Sequence, residues 1–252
     1  MPTLQGEDSH LAGGVMSVFD KLHPKPDVAI NVTTPDRRCG KWAIQSFRVT
    51  EEGAYAHNLK VVLSHKPLYH LIKAGAYKRL VHEDRGTIMS NTPMEVHTNL
   101  PFLNSAKGNV LINGLGLGMV LHVLVDSPAV TKITVVEQEL DVISLTAPHF
   151  RNAMLSGKLE IVHDNAFTFE PPPGAHYDVV WHDIWDAISD GNVSEMRTLR
   201  SKYKDIATDQ FCWCERECIA MYSTIDVLLQ SVGSSYEEVQ AKIKNGELAN
   251  ES

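Results

Sequence analysis

Short apolar runs separated by polar turns fill the middle of the chain and predict strands that alternate with helices. We predict strands at residues 110–113, 132–136, 159–163, 177–182 and 205–211. Several of these runs are almost wholly apolar, which is typical of parallel strands that are buried on both faces. We predict helices after the segment 114–118 and at residues 192–203, 215–229 and 235–245. This order of elements predicts an open α/β sheet with helices at the C-terminal end of the chain.

The pattern before residue 106 is different, because strand signals dominate it. We predict strands at 42–49, 59–63, 76–82 and 87–90, and a short helix at 65–74. A longer helix is expected from Thr92, with Pro93 at its first position and Glu95 completing a capping box. We therefore divide the chain into an irregular arm (1–40), a small β-rich region (41–105), a main α/β domain (106–230), and a C-terminal helix and tail (231–252).

Three glycines follow the first predicted strand of the main domain and are the strongest functional signal. Gly114, Gly116 and Gly118 form a loop, and glycine lets a backbone turn tightly and approach a ligand closely. The helix expected after them offers unpaired amide groups and the positive end of its dipole. The second strand ends at Glu137, about 20 residues past the loop, where a carboxylate can accept both hydroxyls of a ribose. This spacing predicts a site for an adenosine-containing cofactor.

The residues around the loop disfavour cofactors that carry a phosphate chain. The dinucleotide pattern GxGxxG requires glycine at position 119, where this chain has Met119. The phosphate-loop pattern GxxxxGK[ST] is absent too, since no lysine follows Gly118 in the required place. A nucleoside without phosphates therefore fits the loop better.

At these residues the chain resembles the class I S-adenosylmethionine-dependent methyltransferase superfamily, whose first motif is a GxGxG loop and whose second strand ends in an acidic residue. The spermidine synthase branch is the most similar, since it has a VVE strand end like Val135, Val136 and Glu137. The resemblance covers residues 110–206 and implies a Rossmann-like sheet that binds S-adenosylmethionine. It implies that the cofactor is held by Asn113, Gly114, Gly116, Gly118, Glu137, Gln138, Asp164, Asn165, Ala166 and Asp183.

Two carboxylates follow the fourth strand of the main domain and are the candidate catalytic residues. Asp183 is expected to face the sulfonium, and Asp186 follows three residues later. A helical turn beginning at Ile184 would point both carboxylates to one side, where they could bind a substrate amine or accept its proton. In the spermidine synthase family an Asp-x-x-Asp sequence at this strand end does that work. The segment WHDIWD at 181–186 also resembles methyltransferase-like proteins of phages and bacteria.

Other positions depart from the spermidine synthase pattern. The glycine loop has Leu115 and Leu117 where that family has an aspartate, and the connecting segment offers Asn91, Glu95 and His97 in place of its polyamine-binding residues. Three functions therefore stay open. They are methyl transfer to a small molecule or a protein, aminopropyl transfer from decarboxylated S-adenosylmethionine, and cofactor binding without turnover.

Charge and sequence signals limit the possible partners. The 252 residues carry a formal net charge of −8, which disfavours nucleic acid because phosphate binding relies on clustered lysine and arginine. The sequence shows no secretory leader pattern and no uncharged apolar run of 18 residues, so we expect a cytoplasmic protein without a membrane anchor. Exposed strands in the β-rich region favour a homodimer.

Three of the four cysteines cluster in the sequence CWCEREC at 212–218. This spacing lacks the paired CxxC of structural zinc sites, and no histidine lies nearby in the sequence. We therefore expect reduced thiols and no bound metal.

Overall fold

Two sheets organise the described part of the chain, which is residues 29–230 and 234–245 of a computed structural model. The N-terminal sheet is antiparallel and contains β1 (Arg37–Cys39), β2 (Trp42–Val49), β3 (Gly75–His82) and β4 (Gly86–Ser90). The main sheet is parallel and contains β5 (Gly108–Asn113), β6 (Val130–Glu137), β7 (Leu159–His163), β8 (Tyr177–His182) and β9 (Ala207–Cys212). The predicted α/β fold, with a Rossmann-like sheet and a β-rich N-terminal region, is confirmed.

The order of strands in the main sheet is β7-β6-β5-β8-β9. The chain leaves β5 for β6 and β7 on one side and then crosses to β8 and β9 on the other. The order therefore reverses between β5 and β8, whose last residues, Asn113 and His182, are register partners. Ligands of open α/β sheets bind in the crevice outside the carboxyl ends of strands at such a reversal. That crevice lies beside Gly114 and Asp183.

Eight helices connect or flank the strands in the described residues. They are α1 (Glu51–Leu63), α2 (Pro93–Ser105), α3 (Leu121–Leu124), α4 (Leu140–Thr146), α5 (Arg151–Leu155), α6 (Asn192–Tyr203), α7 (Glu215–Gln230) and α8 (Tyr236–Lys244). The helix expected after the glycine loop is α3, and it is only one turn long. Because α3 is so short, its dipole is weak at the glycine loop, since a macrodipole is the sum of many aligned peptide units.

The strand predicted at 59–63 is wrong, because these residues form the end of α1. The Thr50 side chain accepts a hydrogen bond from the Gly53 amide at 3.0 Å, and Glu51 and Glu52 occupy the first turn. A side-chain cap and acidic residues both stabilise a helix start, and they outweigh the β-branched residues further along. The helix predicted at 65–74 is also wrong, since only a 3₁₀ turn forms there, at Leu68–His70.

Helix α2 begins where the sequence predicts it, but without the predicted capping box. The Thr92 side chain makes no capping hydrogen bond. Glu95 Oε1 instead accepts from the backbone amide and the hydroxyl of Ser90, at 2.8 and 3.0 Å. The Glu95 carboxyl therefore bonds to the residue two positions before Thr92, and not to the amide of Thr92 itself.

The core explains how the two sheets come together. Val110 and Ile112 of β5 point to one face of the main sheet, and Trp42 and Leu80 of the N-terminal sheet join the same buried cluster. Leu111 points to the opposite face and belongs to a second cluster. The N-terminal sheet therefore packs over one face of the main sheet and supplies residues to the crevice between β5 and β8.

Parts of two predicted segments lie outside the described residues. These parts are residues 1–28 of the irregular arm, and residues 231–233 and 246–252 of the C-terminal segment. In the described remainder of the arm, Ile30 and Val32 are buried in the main core and Arg37–Cys39 form β1.

Candidate functional site

The glycine loop packs closely against other parts of the protein. Gly114 and Gly116 have φ angles of 101° and 50°, in the left-handed region that favours glycine. A Cβ atom on Gly114 would collide with the carbonyl oxygen of Asp183, and one on Gly116 would collide with the sulfur of Met89. The Leu117 amide donates a hydrogen bond to the same sulfur at 3.2 Å. The loop is thus fixed between the end of β8 and strand β4 of the N-terminal sheet.

Glu137 lies at the end of β6 and is 8% exposed. Its two carboxylate oxygens accept hydrogen bonds from the amides of Leu115 and Glu139, both at 2.8 Å. Burial raises the pKa of this carboxyl, while the two amides oppose the shift. Glu137 therefore ties the glycine loop to the second strand, as well as lining the cavity described below.

The predicted residues at the ends of β6 and β7 form a small hydrogen-bonded group. The Asn165 side-chain amide donates to Gln138 Oε1 at 3.1 Å, and both residues line the cavity with Ala166. Asp164 instead accepts from the Asn165 backbone amide at 2.7 Å and from Thr168 at 3.3 Å. Gln138, Asn165 and Ala166 are therefore available to a ligand, and Asp164 serves the turn that follows β7.

Asp183 and Asp186 have different surroundings. The expected helical turn at Ile184 does not form, since residues 183–187 contain no helix. Asp183 is mostly buried, and burial raises its pKa to about 7, against a smaller lowering by the Trp181 side chain. Asp186 lies at the surface and forms an ion pair with Arg85 at 2.7 Å. The structure therefore separates the two carboxylates that the sequence placed together.

A cavity of about 260 Å³ lies at the reversal point of the main sheet. The predicted residues that line it are Gly114, Gly116, Glu137, Gln138, Asn165, Ala166, Asp183 and Asp186. Gly118 packs against the Phe150 ring instead. Asn113 is fully buried and its side-chain amide contacts His182 Nδ1 at 2.8 Å, so both side chains belong to the core of the sheet.

The N-terminal region supplies cavity residues that were not among the predicted site. They include Trp42, Arg85, Ile88, Met89 and Asn99. No local motif marks these residues, because they reach the cavity only through the packing of one sheet on the other. The sequence Thr92-Pro93 predicts that Asn99 lies on a helix, but it does not predict that this helix lines the cavity.

Two ends of the cavity differ in burial. We call the buried end the cavity floor and define it by Asn99, Trp181 and Asp183. Glu95 lies one turn before Asn99 on α2, outside the lining, and its carbonyl oxygen accepts from the Asn99 side-chain amide at 2.7 Å. We call the exposed end the cavity mouth and define it by Arg85, Trp185, Asp186 and Glu195. At the mouth, the Trp185 indole nitrogen donates to Glu195 at 2.7 Å, and the Arg85 guanidinium lies 4.8 Å from the centre of the Trp42 ring.

The cavity residues fit a nucleoside with a ribose. Each oxygen of Glu137 accepts one backbone amide and keeps a second lone pair for a hydroxyl donor. The side-chain amides of Gln138 and Asn165 can pair with the edge of a purine. S-adenosylmethionine would thus be held by Glu137, Gln138 and Asn165 at its nucleoside and by the glycine loop beyond it.

Comparisons with solved structures find similar proteins that are methyltransferases by name. A putative caffeoyl-CoA O-methyltransferase from Staphylococcus aureus is 18% identical, over 45% of this chain and 51% of its own, with a TM-score of 0.34. An S-adenosylmethionine-dependent methyltransferase from Clostridium acetobutylicum is 13% identical, over 45% and 43% of the two chains, with a TM-score of 0.31. The putative methyltransferase yhhF from Escherichia coli is 18% identical, over 44% and 58%, with a TM-score of 0.33.

The chain spans about half the length of these three structures. No family model and no curated protein matches it. The function is therefore inferred from the site itself.

Three further observations concern the described residues alone. None of their helices is both long and apolar enough to cross a membrane. No group of three or more histidine, cysteine, aspartate or glutamate side chains among them is arranged to hold a metal ion. All four cysteines are free thiols, and Cys212, Cys214 and Cys218 are buried.

Proposed function

We propose that the chain is an S-adenosylmethionine-dependent methyltransferase that acts on a small molecule or a protein. The observation that carries the proposal is the position of the cavity at the reversal point of the sheet. The glycine loop and Glu137 lie on one side of it, and Asp183 lies on the other. When bound, S-adenosylmethionine supplies a methyl group on a positively charged sulfur.

The protein's own part in such a reaction is to position the acceptor and exclude water. Trp181 and Trp185 wall the cavity next to Asp183. A carboxyl with a pKa of about 7 can both take up and release a proton near neutral pH, which suits Asp183 to receive the proton of an acceptor. Asp186, held by Arg85, is suited to closing the cavity mouth.

Of the two alternatives, aminopropyl transfer is disfavoured by the contacts of Asp186, while cofactor binding without turnover requires an assay. Aminopropyl transfer requires carboxylates along a cationic diamine, but Asp186, the second member of the Asp-x-x-Asp sequence, is already neutralised by Arg85. We therefore place methyl transfer first. A protein that binds the cofactor without turnover would bind S-adenosylhomocysteine but release none from S-adenosylmethionine, so a turnover assay separates it from an enzyme.

Calorimetry with S-adenosylmethionine and S-adenosylhomocysteine tests the proposal directly. We expect both to bind, and we expect Glu137→Gln to weaken S-adenosylhomocysteine by about tenfold to a hundredfold. The reason is that hydrogen bonds to a charged group contribute about 1.5–3 kcal/mol each. Glu160→Gln is the matched control, because Glu160 is an exposed carboxylate on β7 that pairs with Lys132 outside the cavity.

Glu137 also holds the glycine loop, so a ribose-specific measurement is needed beside the affinity. Wild-type protein should bind adenosine more tightly than 2′,3′-dideoxyadenosine, and Glu137→Gln should lose this preference. The proposal is wrong if the wild-type protein binds neither S-adenosylmethionine nor S-adenosylhomocysteine, or if Glu137→Gln keeps wild-type affinity and ribose preference.

A further inference from the structure

Arg85 is the one positively charged side chain on the wall of the cavity. Among the described residues that line the cavity, no other is a lysine, an arginine or a histidine. The remaining charged groups of the lining are carboxyls, and they belong to Glu137, Glu139, Asp183, Asp186 and Glu195. These carboxyls repel an anion at every place in the cavity except beside Arg85. Arg85 therefore determines where an anionic group of a ligand can bind.

The protein uses only part of the Arg85 guanidinium. The Nη1 atom donates to Asp186 Oδ2 at 2.7 Å, while Nε and Nη2 form no hydrogen bond with any described residue. The N–H groups of Nε and Nη2 point in parallel from one edge of the planar guanidinium, and this edge matches the two oxygens of a carboxylate. Arg85 thus pairs with Asp186 through a single nitrogen and keeps its carboxylate-binding edge open.

The guanidinium is held in place by the protein alone. It lies 4.8 Å from the centre of the Trp42 ring, and Trp42 is 5% exposed. A planar cation is attracted to the face of an aromatic ring, and this contact limits its rotation. The β3–β4 turn that carries Arg85 is also tied to the start of β2, where Lys41 pairs with Asp84 at 2.6 Å. Because the open edge is preorganised, binding a carboxylate costs little side-chain entropy.

We propose that the open edge of Arg85 binds a carboxylate of the methyl acceptor, so that the acceptor is an organic acid. This inference rests on the proposed methyl transfer and names its substrate class. Arg85 lies at the exposed mouth, through which an acceptor enters, whereas the sulfur of the cofactor is expected at Asp183. A phosphate carries a second negative charge past the carboxyls of the lining, so it fits this site less well than a carboxylate.

The carboxylate serves as an anchor and is not the group that reacts. A guanidinium that binds both oxygens of a carboxylate balances its charge and occupies its lone pairs, which makes the carboxylate a poor nucleophile. The reacting atom of the acceptor is therefore a different one, nearer to Asp183. Trp42, Ile88 and Trp185 line the cavity beside Arg85 and offer apolar surface to the body of such an acid.

Indole NMR signals of ¹⁵N-labelled protein test the site without any turnover. Trp42 lies against the guanidinium, whereas Trp213 lies outside the lining and serves as an internal control. The probes are phenylacetate, phenethyl alcohol and phenethylamine, which share a ring and differ in charge. We expect phenylacetate to shift the Trp42 signal in a saturable way and the other two, at equal ionic strength, to bind at least about tenfold more weakly. Equal affinities for the acid and the alcohol would overturn the proposal.

Phenyl phosphate distinguishes a carboxylate site from a phosphate site. It has the same ring as the other probes but carries close to two negative charges near neutral pH. We expect it to bind more weakly than phenylacetate, because the carboxyls of the lining repel the second charge. Tighter binding of phenyl phosphate than of phenylacetate would show that the acceptor is not a carboxylic acid.

The variant Arg85→Met removes the charge and the donors but keeps an unbranched side chain beside Trp42. We expect it to bind phenylacetate at least about tenfold more weakly than the wild type, and to bind phenethyl alcohol equally well. Arg85→Lys restores the charge without the parallel donors, so it should recover part of the lost affinity for the acid. An unchanged phenylacetate affinity in Arg85→Met would contradict the proposal.

Arg79→Met is the matched control for these variants. Arg79 lies on β3 of the same sheet, its guanidinium is 5.5 Å from the centre of the Phe47 ring, and it is outside the lining. We expect Arg79→Met to bind phenylacetate like the wild type. A Trp213 signal at its wild-type position shows that each variant is folded. If Arg79→Met lost as much affinity as Arg85→Met, the effect would be one of overall charge and the proposed site would be wrong.

Repeating the phenylacetate titration with S-adenosylhomocysteine bound separates this inference from the proposed function. We expect phenylacetate to bind in its presence with equal or higher affinity. If S-adenosylhomocysteine displaces phenylacetate, the cofactor itself occupies the open edge of Arg85 and the assignment to the acceptor is wrong. If the protein binds phenylacetate but not S-adenosylhomocysteine, the proposed function fails while the carboxylate site itself stands.

Discussion

The floor and the mouth of the cavity contain similar residue types but opposite arrangements. At the mouth, Asp186 is paired with Arg85 and Glu195 accepts the indole hydrogen of Trp185. At the floor, Asp183 has no cationic partner and Asn99 Oδ1 has no hydrogen-bond partner among the described residues. The charged groups of the mouth therefore pair with one another, and those of the floor do not.

This difference supports the proposal that the floor, and not the mouth, serves the chemistry. Native proteins satisfy nearly all of their buried polar groups, and the exceptions concentrate at sites that bind or react. An exposed ion pair such as Arg85–Asp186 adds little to stability, but it can set the shape of an entrance. A buried polar atom such as Asn99 Oδ1 costs free energy unless a ligand or water completes it, and such a cost is expected at a ligand-binding site.

The largest effect is expected from Glu95→Gln on stability at alkaline pH. The folded pKa of Glu95, about 8, lies above its value of 4.5 in the unfolded chain. The stability linked to the neutral carboxyl is therefore full below about pH 4.5 and is lost as the pH rises through 8. Glutamine stays neutral, so the variant should be more stable by about 2–3 kcal/mol at pH 8 and by less than about 1 kcal/mol at pH 5.

Urea unfolding at the two pH values measures this gain. Glu195→Gln at the mouth is the matched control, because that carboxylate is exposed and its loss should bring no gain at either pH. If the gain of Glu95→Gln over the wild type were no larger at pH 8 than at pH 5, the pKa of Glu95 would not be raised. The contrast between floor and mouth would then fail.

The second effect compares the two aspartates in cofactor binding. S-adenosylmethionine carries a positive sulfur and S-adenosylhomocysteine a neutral one, so the ratio of their affinities reports on a nearby carboxylate. Asp183→Asn should lower the relative affinity for S-adenosylmethionine by about tenfold, or about 1.4 kcal/mol. Asp186→Asn should change the ratio by less than about twofold. Calorimetry with both ligands measures this ratio for each variant. Equal changes in the two variants would mean that the two aspartates do not differ in their effect on the sulfur.

The smallest effect is expected from Arg85→Met. The ion pair to Asp186 is exposed, so its loss should lower the free energy of unfolding by less than about 1 kcal/mol, and by less still at high salt. Urea unfolding at low and at high ionic strength measures this loss of stability and its dependence on salt. A loss above about 2 kcal/mol would mean that the mouth holds the two sheets together.

The parallel sheet was predictable because buried parallel strands are apolar along their whole length. Strands β7 and β8 begin and end where the sequence places them, at Leu159–His163 and Tyr177–His182. The region before residue 106 was harder, since the run at 59–63 suits either a strand or a helix. The cap at Thr50, nine residues before this run begins, stabilises the helix that contains the run.

The position of α2 beside the cavity floor was not predictable from sequence, for a physical reason. Glu95 looked like the partner in a local capping box, but its carboxyl bonds to Ser90 instead. The charge of Asp183, far away in sequence, acts on Glu95 because α2 packs against β8, where the rings of Phe102 and Trp181 stack at 4.9 Å. The helical turn expected at Ile184 is absent, and the Asp186 carboxylate binds Arg85 on the β3–β4 turn. Both outcomes depend on tertiary contacts that no local pattern records.

The contact between Met89 and Gly116 makes a position of the N-terminal sheet and a position of the glycine loop constrain each other in evolution. Position 116 can gain a side chain only if position 89 loses bulk, since the Met89 sulfur fills the space that a Cβ atom would need. The positive φ at 116 adds a further penalty to any such exchange. The two positions should therefore vary as a pair among descendants of this chain, and an exchange of the N-terminal sheet between relatives would have to carry position 89 with it.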